Sequence, residues 1–369
     1  MTAQLPADEA LDPTESPRAD LSLAPAAVRL KDVAAFGLNR GNIRRTGWQR
    51  LSQGLHVRAD PRRSPADTAA LLATVLPRDS GFGHLTSAAL RGWWLPNRLP
   101  RHVVFATTRS GVHVQRHGVY VRRSVYAEVE DIGGVPVMTG PQTLVELARD
   151  LPLVDLVPMV DCALAQGVDP AEILEAAARP GVRGGKVLRR ALTWADPKSE
   201  SWWESVMRLQ HTLTGLGPVE SQVEICGDGV FVARADLHLV GTVRYPECDG
   251  GEHRDKDRHS HDLSRDKAMA RLGLERFGYT TYEIAMRPES VIRDGETARG
   301  LAHDDRRVQL WMRHAWPSTL TAHGRVRLAA RLERYRRAAE HPLASSGRSS
   351  RPGSGQNSPL EDEGLDADG

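Results

Sequence analysis

Apolar and polar positions along the chain follow the pattern typical of a mixed α/β (α+β) protein. Apolar residues recur at helical spacing in several stretches, and short runs rich in Val, Ile, Tyr and Thr lie between them. The pattern predicts helices at 64–76, 85–96, 139–151, 152–167, 169–181, 185–197, 199–216, 265–278 and 325–341. It predicts strands at 102–107, 118–124, 135–138, 219–225 and 279–284, and a hairpin within 234–254.

The first ordered stretch, residues 28–63, has the order of a small winged helix-turn-helix. Two short helical runs at 30–36 and 40–47 precede a strand-like segment that turns at Gly54. Residues 64–198 are interpreted as a central α/β domain, 199–322 as a second mixed domain and 323–341 as a C-terminal helix. Residues 1–27 and 342–369 lack apolar periodicity and are rich in Pro, Ser, Gly and acidic residues, so we expect disordered tails.

The composition narrows the class of protein. The formal net charge of +2 is too small for the whole chain to attract nucleic acid, so any basic footprint must be local. Three widely spaced cysteines form no CxxC pair, which fits a reducing compartment better than a disulfide scaffold. No apolar run reaches the length of a membrane span. We expect a cytoplasmic protein without a membrane partner.

The winged-helix stretch carries such a local excess of positive charge. It contains nine basic residues and two acidic ones, which is a suitable footprint for DNA phosphates. The predicted DNA-binding residues are Arg40, Arg44, Arg45, Arg50 and Arg58. On charge alone, a solvated basic face on an ordinary small domain is an equally good interpretation.

The second feature that suggests chemistry is RADLHLVGTVRYPECDGGEHR, residues 234–254. A two-residue turn at Gly241-Thr242 would pair Asp236 with Glu247 and Arg234 with Asp249. Two opposed acids repel each other, and a hard cation such as Mg²⁺ or Mn²⁺ would remove the conflict.

The same stretch offers groups for phosphodiester hydrolysis. His253 would orient or deprotonate the attacking water, and Arg234 would place positive charge beside the phosphate. Two other interpretations stay open. The acids could pair with the arginines of a solvent-facing hairpin, or His253 with His259 and His261 could hold zinc, although no paired cysteines accompany them.

Glu204 on a predicted helix, Asp236 on a strand, and Glu247-Cys248-Asp249-Gly250 with His253 behind them resemble the PD-(D/E)xK nuclease fold. The pattern over residues 199–290 is similar to Vsr-like endonuclease-domain proteins of actinobacterial type. The resemblance implies a restriction-endonuclease-like mixed sheet flanked by helices, with Glu204, Asp236 and Glu247 as the metal ligands and His253 as the family histidine. Asp249 stands where many of these nucleases have lysine. Pro246, in the same strand, is a second departure because proline cannot donate to a sheet ladder.

Residues 28–195 have a softer resemblance to AbiE-type antitoxins of type IV toxin–antitoxin systems, in which a winged helix precedes an α/β domain. It rests on the winged-helix stretch followed by LTSAALRGW, GVPVMTGPQTLVELARDL and DCALAQG. Three hypotheses follow. The first is a metal-dependent DNA endonuclease with a DNA-binding module. The second is a DNA-binding regulator of antitoxin type, with a possible cognate toxin and a nuclease-like domain without activity. The third is a catalytically silent module that only binds DNA or a partner.

Overall fold

The structure is a computed structural model that describes residues 27–340, except 46, 97–98, 100–102, 110–113 and 250–264. Both predicted disordered tails therefore lie outside the described residues, apart from Ala27. His253, His259 and His261 lie outside them as well. Within the described part, helices and several separate sheets form a mixed α/β protein. No helix in that part combines the length and the apolar character needed to cross a bilayer.

The N-terminal stretch forms a three-stranded antiparallel sheet with two short helical turns. Its elements are β1 (Ala27–Arg29), a 3-10 turn (Val33–Phe36), α1 (Arg40–Arg45), β2 (Trp48–Ser52) and β3 (Leu55–Arg58). The predicted hairpin at Gly54 is present as the β2–β3 pair, and β1 adds a third strand that the sequence pattern did not indicate. The first predicted helix, at 30–36, is reduced to one 3-10 turn.

A five-stranded mixed sheet forms the centre of the next unit, with strand order β6-β5-β4-β8-β7. Its elements are α2 (Pro65–Ala73), β4 (Ser80–Phe82), α3 (His84–Leu90), β5 (Val104–Thr108), β6 (Val119–Arg123), β7 (Val129–Ile132) and β8 (Val135–Met138). Three of these strands were predicted, whereas the short β4 and β7 were missed. The Ser64 cap of α2 is confirmed, because its hydroxyl accepts from the Asp67 N–H at 3.0 Å.

Five helices follow and lead into the C-terminal part. They are α4 (Gly140–Ala148), α5 (Leu153–Ala165), α6 (Pro170–Ala178), α7 (Gly185–Thr193) and α8 (Trp202–Leu213). A single buried hydrophobic cluster extends from Leu85 in α3 to Trp311 and Ala339 near the end of the described chain. A buried ion pair between Asp161 and Arg208, 2.6 Å apart, joins α5 to α8. The core is therefore continuous across residues 198 and 199, where the sequence suggested a domain boundary.

The C-terminal part contains two strand pairs and a set of helices. Its elements are β9 (Val219–Gly227), β10 (Val230–Leu239), β11 (Arg244–Asp249), α9 (265–271), β12 (Glu275–Thr280), α10 (Thr281–Met286), α11 (Pro288–Ala298), α12 (Asp305–Ala315) and α13 (Ala322–Glu340). β9 pairs antiparallel with β10, and β11 pairs parallel with β12. α13 returns to the central sheet, where the Gly118 N–H donates to the Ala339 carbonyl at 3.2 Å.

One boundary in this part was predicted wrongly. The sequence pattern extended the helix after Arg265 to residue 278 and placed a strand at 279–284, but the chain forms β12 at Glu275–Thr280 and then α10. The physical reason is a capping box: the Thr280 hydroxyl accepts from the Glu283 N–H, and the Glu283 carboxylate accepts from the Thr280 N–H. This start signal outweighs the β-branched and aromatic composition of the segment.

Candidate carboxylate site

Glu204 enters the site from the first turn of α8. The Ser201 hydroxyl caps this helix by accepting from the Glu204 N–H at 3.1 Å. The Glu204 side chain is buried, and its Oε2 accepts from the Glu200 N–H at 2.9 Å and from Gln222 Nε2 at 2.8 Å. Gln222 lies in β9 with a φ of 53° and was not among the predicted site residues. Its hydrogen bond to Glu204 links the acid on the helix to the sheet.

Asp236 lies on β10 and its carboxylate is turned towards β11. Its Oδ2 accepts from the Cys248 N–H at 2.8 Å. Its chain neighbours Ala235 and Leu237 pair with Val223 and Ser221 of β9. An aspartate side chain therefore connects the two strands at the level where the sequence predicted a backbone ladder.

The predicted backbone ladder between β10 and β11 is not formed among the described strands. Among the described strands, β10 has β9 as its ladder partner and β11 has β12, so Asp236 and Glu247 are not a directly opposed pair. The turn also differs: the Thr242 N–H donates to the Leu239 carbonyl at 3.0 Å, and Gly241 has a φ of 83°. The Thr242 hydroxyl stabilises this turn by donating to the same carbonyl. The two strands nevertheless run side by side. The His238 ring of β10 stacks on the Tyr245 ring of β11, with centroids 4.5 Å apart.

Pro246 is accommodated by this arrangement. The N–H groups of alternate strand residues point to the same neighbour. Since the N–H of Cys248 points to Asp236, the position of the missing N–H of Pro246 faces the same side, which carries no ladder. The proline therefore costs β11 no hydrogen bond to β12.

Glu247 is the most strongly partnered acid of the site. Its Oε2 accepts from Arg265 Nη2 and Arg276 Nε, both at 2.5 Å. Its side chain is only 5% exposed, and Oε1 is buried without a hydrogen-bond partner. Arg276 also reaches Asp266 at 3.2 Å and Asp249 at 3.5 Å. No sequence motif marked Arg276, because it comes from the separate strand β12.

Asp249 and Arg234 differ in their surroundings from the buried acids. The Asp249 side chain is 54% exposed and covers Gly278, where a Cβ would stand 2.3 Å from Asp249 Oδ2. Arg234 does not face Asp249 as predicted. It pairs with Glu224 in the β9 ladder and forms an exposed ion pair with Glu200 at 2.7 Å. Its guanidinium therefore lies near the start of α8.

Burial raises the pKa of the buried Glu204 and Glu247 and of the half-buried Asp236. Burial raises the pKa of Glu204, and the neighbouring Asp236 raises it further. Burial likewise raises the pKa of Asp236 and of Glu247, although Arg265 and Arg276 partly offset both shifts. Glu204, Asp236 and Glu247 thus come from three elements, and Asp236 repels both glutamates. Clusters of this kind are enriched at functional sites.

The fit of a divalent cation rests on the donor set. Carboxylate oxygens are the ligands that Mg²⁺ and Mn²⁺ prefer, and Glu247 Oε1 is a buried oxygen that lacks a donor. Within the described ranges, however, no group of three or more His, Cys, Asp or Glu side chains is arranged to hold a metal ion. His253, the remaining predicted member, lies outside those ranges. The carboxylate oxygens are suitable ligands for the cation. Glu247 Oε2, however, accepts hydrogen bonds from Arg265 and Arg276.

The predicted DNA-binding arginines occupy the N-terminal module. Arg40 and Arg50 are exposed and line one cavity of about 360 Å³ together with His56. Arg58 is half-buried, with its guanidinium 5.5 Å from the centre of the Trp48 ring. The side chains of Arg44 and Arg45 lie outside the described set, although their backbone belongs to α1. Two of the five arginines thus share one accessible surface.

Comparisons with known proteins identify no family. No protein-family model matches the chain, and no curated protein matches it. A similar solved structure is that of the RV2827C protein from Mycobacterium tuberculosis, with 17% sequence identity. The match covers 46% of this chain and 72% of that one, with a TM-score of 0.34. A similarity this low assigns neither a fold nor a function to this chain.

Proposed function

We propose that this chain is a metal-dependent DNA endonuclease. The observation that supports the proposal is the group of Glu204, Asp236 and Glu247, whose carboxylates come from a helix and two strands, with Asp236 raising the pKa of both glutamates. A sheet gains no stability from gathering acids in this way. A bound divalent cation would offset the repulsion between the carboxylates.

In this proposal Asp236 and Glu247 hold Mg²⁺ or Mn²⁺, and Glu204 completes or orients the set. A cation bound there would supply Lewis-acid chemistry, with positive charge for the phosphate and for an attacking water. Arg276 lies within 3.5 Å of Asp249, so its guanidinium supplies positive charge where related nucleases place a lysine. Asp249 is exposed and orients Arg276, and His253 remains the proposed base.

The N-terminal module would hold the duplex. Arg40 and Arg50 are exposed on one surface, and cations there attract DNA phosphates without reading sequence. DNA is therefore the proposed partner. Replacing both arginines by glutamine would weaken DNA binding and lower the dependence of affinity on salt.

A plasmid-nicking assay tests the proposal. The full chain is incubated with supercoiled, mismatched and single-stranded DNA in Mg²⁺, Mn²⁺ or EDTA. We expect metal-dependent cleavage that falls by at least about 100-fold in Asp236→Asn and in Glu247→Gln. Glu224→Gln is the matched control, because Glu224 is an exposed acid on the neighbouring strand β9 and should leave the rate unchanged. Metal-independent cleavage, or equal rates in all three variants, would refute the assignment.

The second candidate is a DNA-binding regulator of antitoxin type whose nuclease-like domain is inactive. The observation that favours it is the pair of arginines on Glu247, which neutralise the acid without a metal. It predicts DNA binding with no cleavage in any metal. A cognate toxin as partner would accompany this role, and co-purification of a toxin encoded beside this chain would favour it.

A further inference from the structure

A cavity of about 280 Å³ opens on the central sheet, away from the carboxylate site. Its walls come from β5, β6, α4 and the connection between α6 and α7. Four arginines line it, with one acid among them. The arginines are Arg122, Arg123, Arg149 and Arg183, and the acid is Glu146.

Arg122 forms the buried wall of this cavity. It is 8% exposed, and its guanidinium packs against three aromatic rings with centroids 5.0 to 5.6 Å away. Its Nη2 donates to Asp150 at 3.1 Å, whereas Nη1 is buried without a hydrogen-bond partner. A buried guanidinium nitrogen without an acceptor is costly, and an anion in the cavity would satisfy it.

The negative charge of Asp150 does not balance the other arginines. Its carboxylate is fully enclosed, lies behind Arg122 and also pairs with His84 and Arg331. Glu146 supplies one further negative charge, which raises the pKa of Arg122, and its Oε1 accepts from the Thr107 hydroxyl at 2.7 Å. The acids near the cavity therefore leave an excess of positive charge on its lining.

Arg149 lies among like charges. Burial lowers the pKa of Arg149, and the nearby Arg122 and Arg183 lower it further, while Tyr335 and Asp150 offset part of the shift. Like charges at this spacing destabilise the folded chain unless an anion lies between them. Several guanidiniums around one cavity are typical of a phosphate-binding site.

The loop that carries Arg183 is fixed in place. The Tyr126 hydroxyl donates to the Pro180 carbonyl at 3.2 Å. Gly184 has a φ of 86° and lies so close to α4 that a Cβ would stand 2.5 Å from the Ala148 carbonyl carbon. The position of Arg183 at the cavity rim thus follows from backbone contacts.

We propose that this arginine-lined cavity binds a small phosphate-bearing molecule, either inorganic phosphate or a mononucleotide. The volume of about 280 Å³ lies just below the usual range for small-molecule pockets, about 300–1,000 Å³, which suits a small ligand. Its inner wall is the buried Arg122, whose unpartnered Nη1 would donate to a phosphate oxygen.

Calorimetric titration of the full chain tests this site. Inorganic phosphate, AMP and adenosine are titrated separately into the wild type and two variants. Arg183→Ala removes an exposed rim arginine, and Arg78→Ala removes an exposed arginine that does not line the cavity. We expect phosphate or AMP to bind, adenosine not to bind, and Arg183→Ala to weaken binding about tenfold with no change for Arg78→Ala.

The results separate the two sources of phosphate. Tighter binding of AMP than of phosphate identifies a mononucleotide, and equal binding identifies the free anion. No heat up to about 10 mM ligand, corresponding to a dissociation constant weaker than millimolar, would overturn the proposal. Equal affinities in the two variants, or a loss in Arg183→Ala confined to a DNA oligonucleotide, would overturn it as well. Because the readout is binding of a small molecule, the outcome is independent of any cleavage activity.

Discussion

The ion pairs of Glu247 give a stability test of the carboxylate site that does not depend on activity. The perturbation is Arg276→Gln, which removes one of the two cations that contact Glu247 Oε2. Breaking a buried ion pair costs about 3–5 kcal/mol, because the remaining charge is left without its partner. Arg265 stays in place and Arg276 is 17% exposed, so we expect a loss of about 2–3 kcal/mol in the free energy of unfolding at pH 8.

The loss should depend on pH with a definite sign. Burial already raises the pKa of Glu247, and removing Arg276 raises it further. The folded state then binds a proton that the unfolded state does not hold, so protonation relieves the cost as the pH falls. We expect the destabilisation caused by Arg276→Gln to be smaller at pH 5 than at pH 8.

Urea unfolding followed by circular dichroism at the two pH values measures both quantities. Arg271→Gln is the matched control, since Arg271 is exposed on α9, and we expect it to change the free energy of unfolding by less than about 0.5 kcal/mol. In the double variant Glu247→Gln, Arg276→Gln the effects should be non-additive by about 1–3 kcal/mol. An equal loss at pH 5 and pH 8, or a loss no larger than that of Arg271→Gln, would refute the interpretation of Glu247 as a buried charge held by arginine.

Two further predictions concern the buried His211 and the loop residue Gly184. Burial lowers the pKa of His211 to about 4, so the folded state binds fewer protons than the unfolded state, and stability is lost as the pH falls from about 6.5 to 4. His211→Leu should reduce the loss between pH 7 and pH 4.5 by about 2–3 kcal/mol in urea unfolding, and an unchanged loss would contradict this. Gly184→Ala should destabilise the chain by at least about 1 kcal/mol more than Gly181→Ala, because both have positive φ and only the first meets backbone. Equal melting curves for the two would show that the loop can move.

Local signals in the sequence were reliable wherever the determining contacts span a few residues. Ser64 and Ser201 cap their helices because each hydroxyl reaches an N–H three residues ahead. The turn at Gly54 joins neighbouring strands for a similar reason: glycine adopts its φ of 76° without steric cost. The Thr280–Glu283 capping box is an exception. It is a local signal for a helix, but the β-branched and aromatic residues beside it favour a strand.

The candidate site needed more than local information. The sequence identified Asp236, Glu247 and Asp249 as acids of interest because a predicted hairpin places them on one face, and the resemblance to nucleases added Glu204. Only the tertiary structure decided their partners. The parallel pairing of β11 with β12 brings Arg276 to Glu247 from 29 residues away, and Asp236 reaches the Cys248 N–H in place of a ladder. Strand pairing depends on long-range packing, so residue types along one segment predict which groups are present and the fold determines which of them meet.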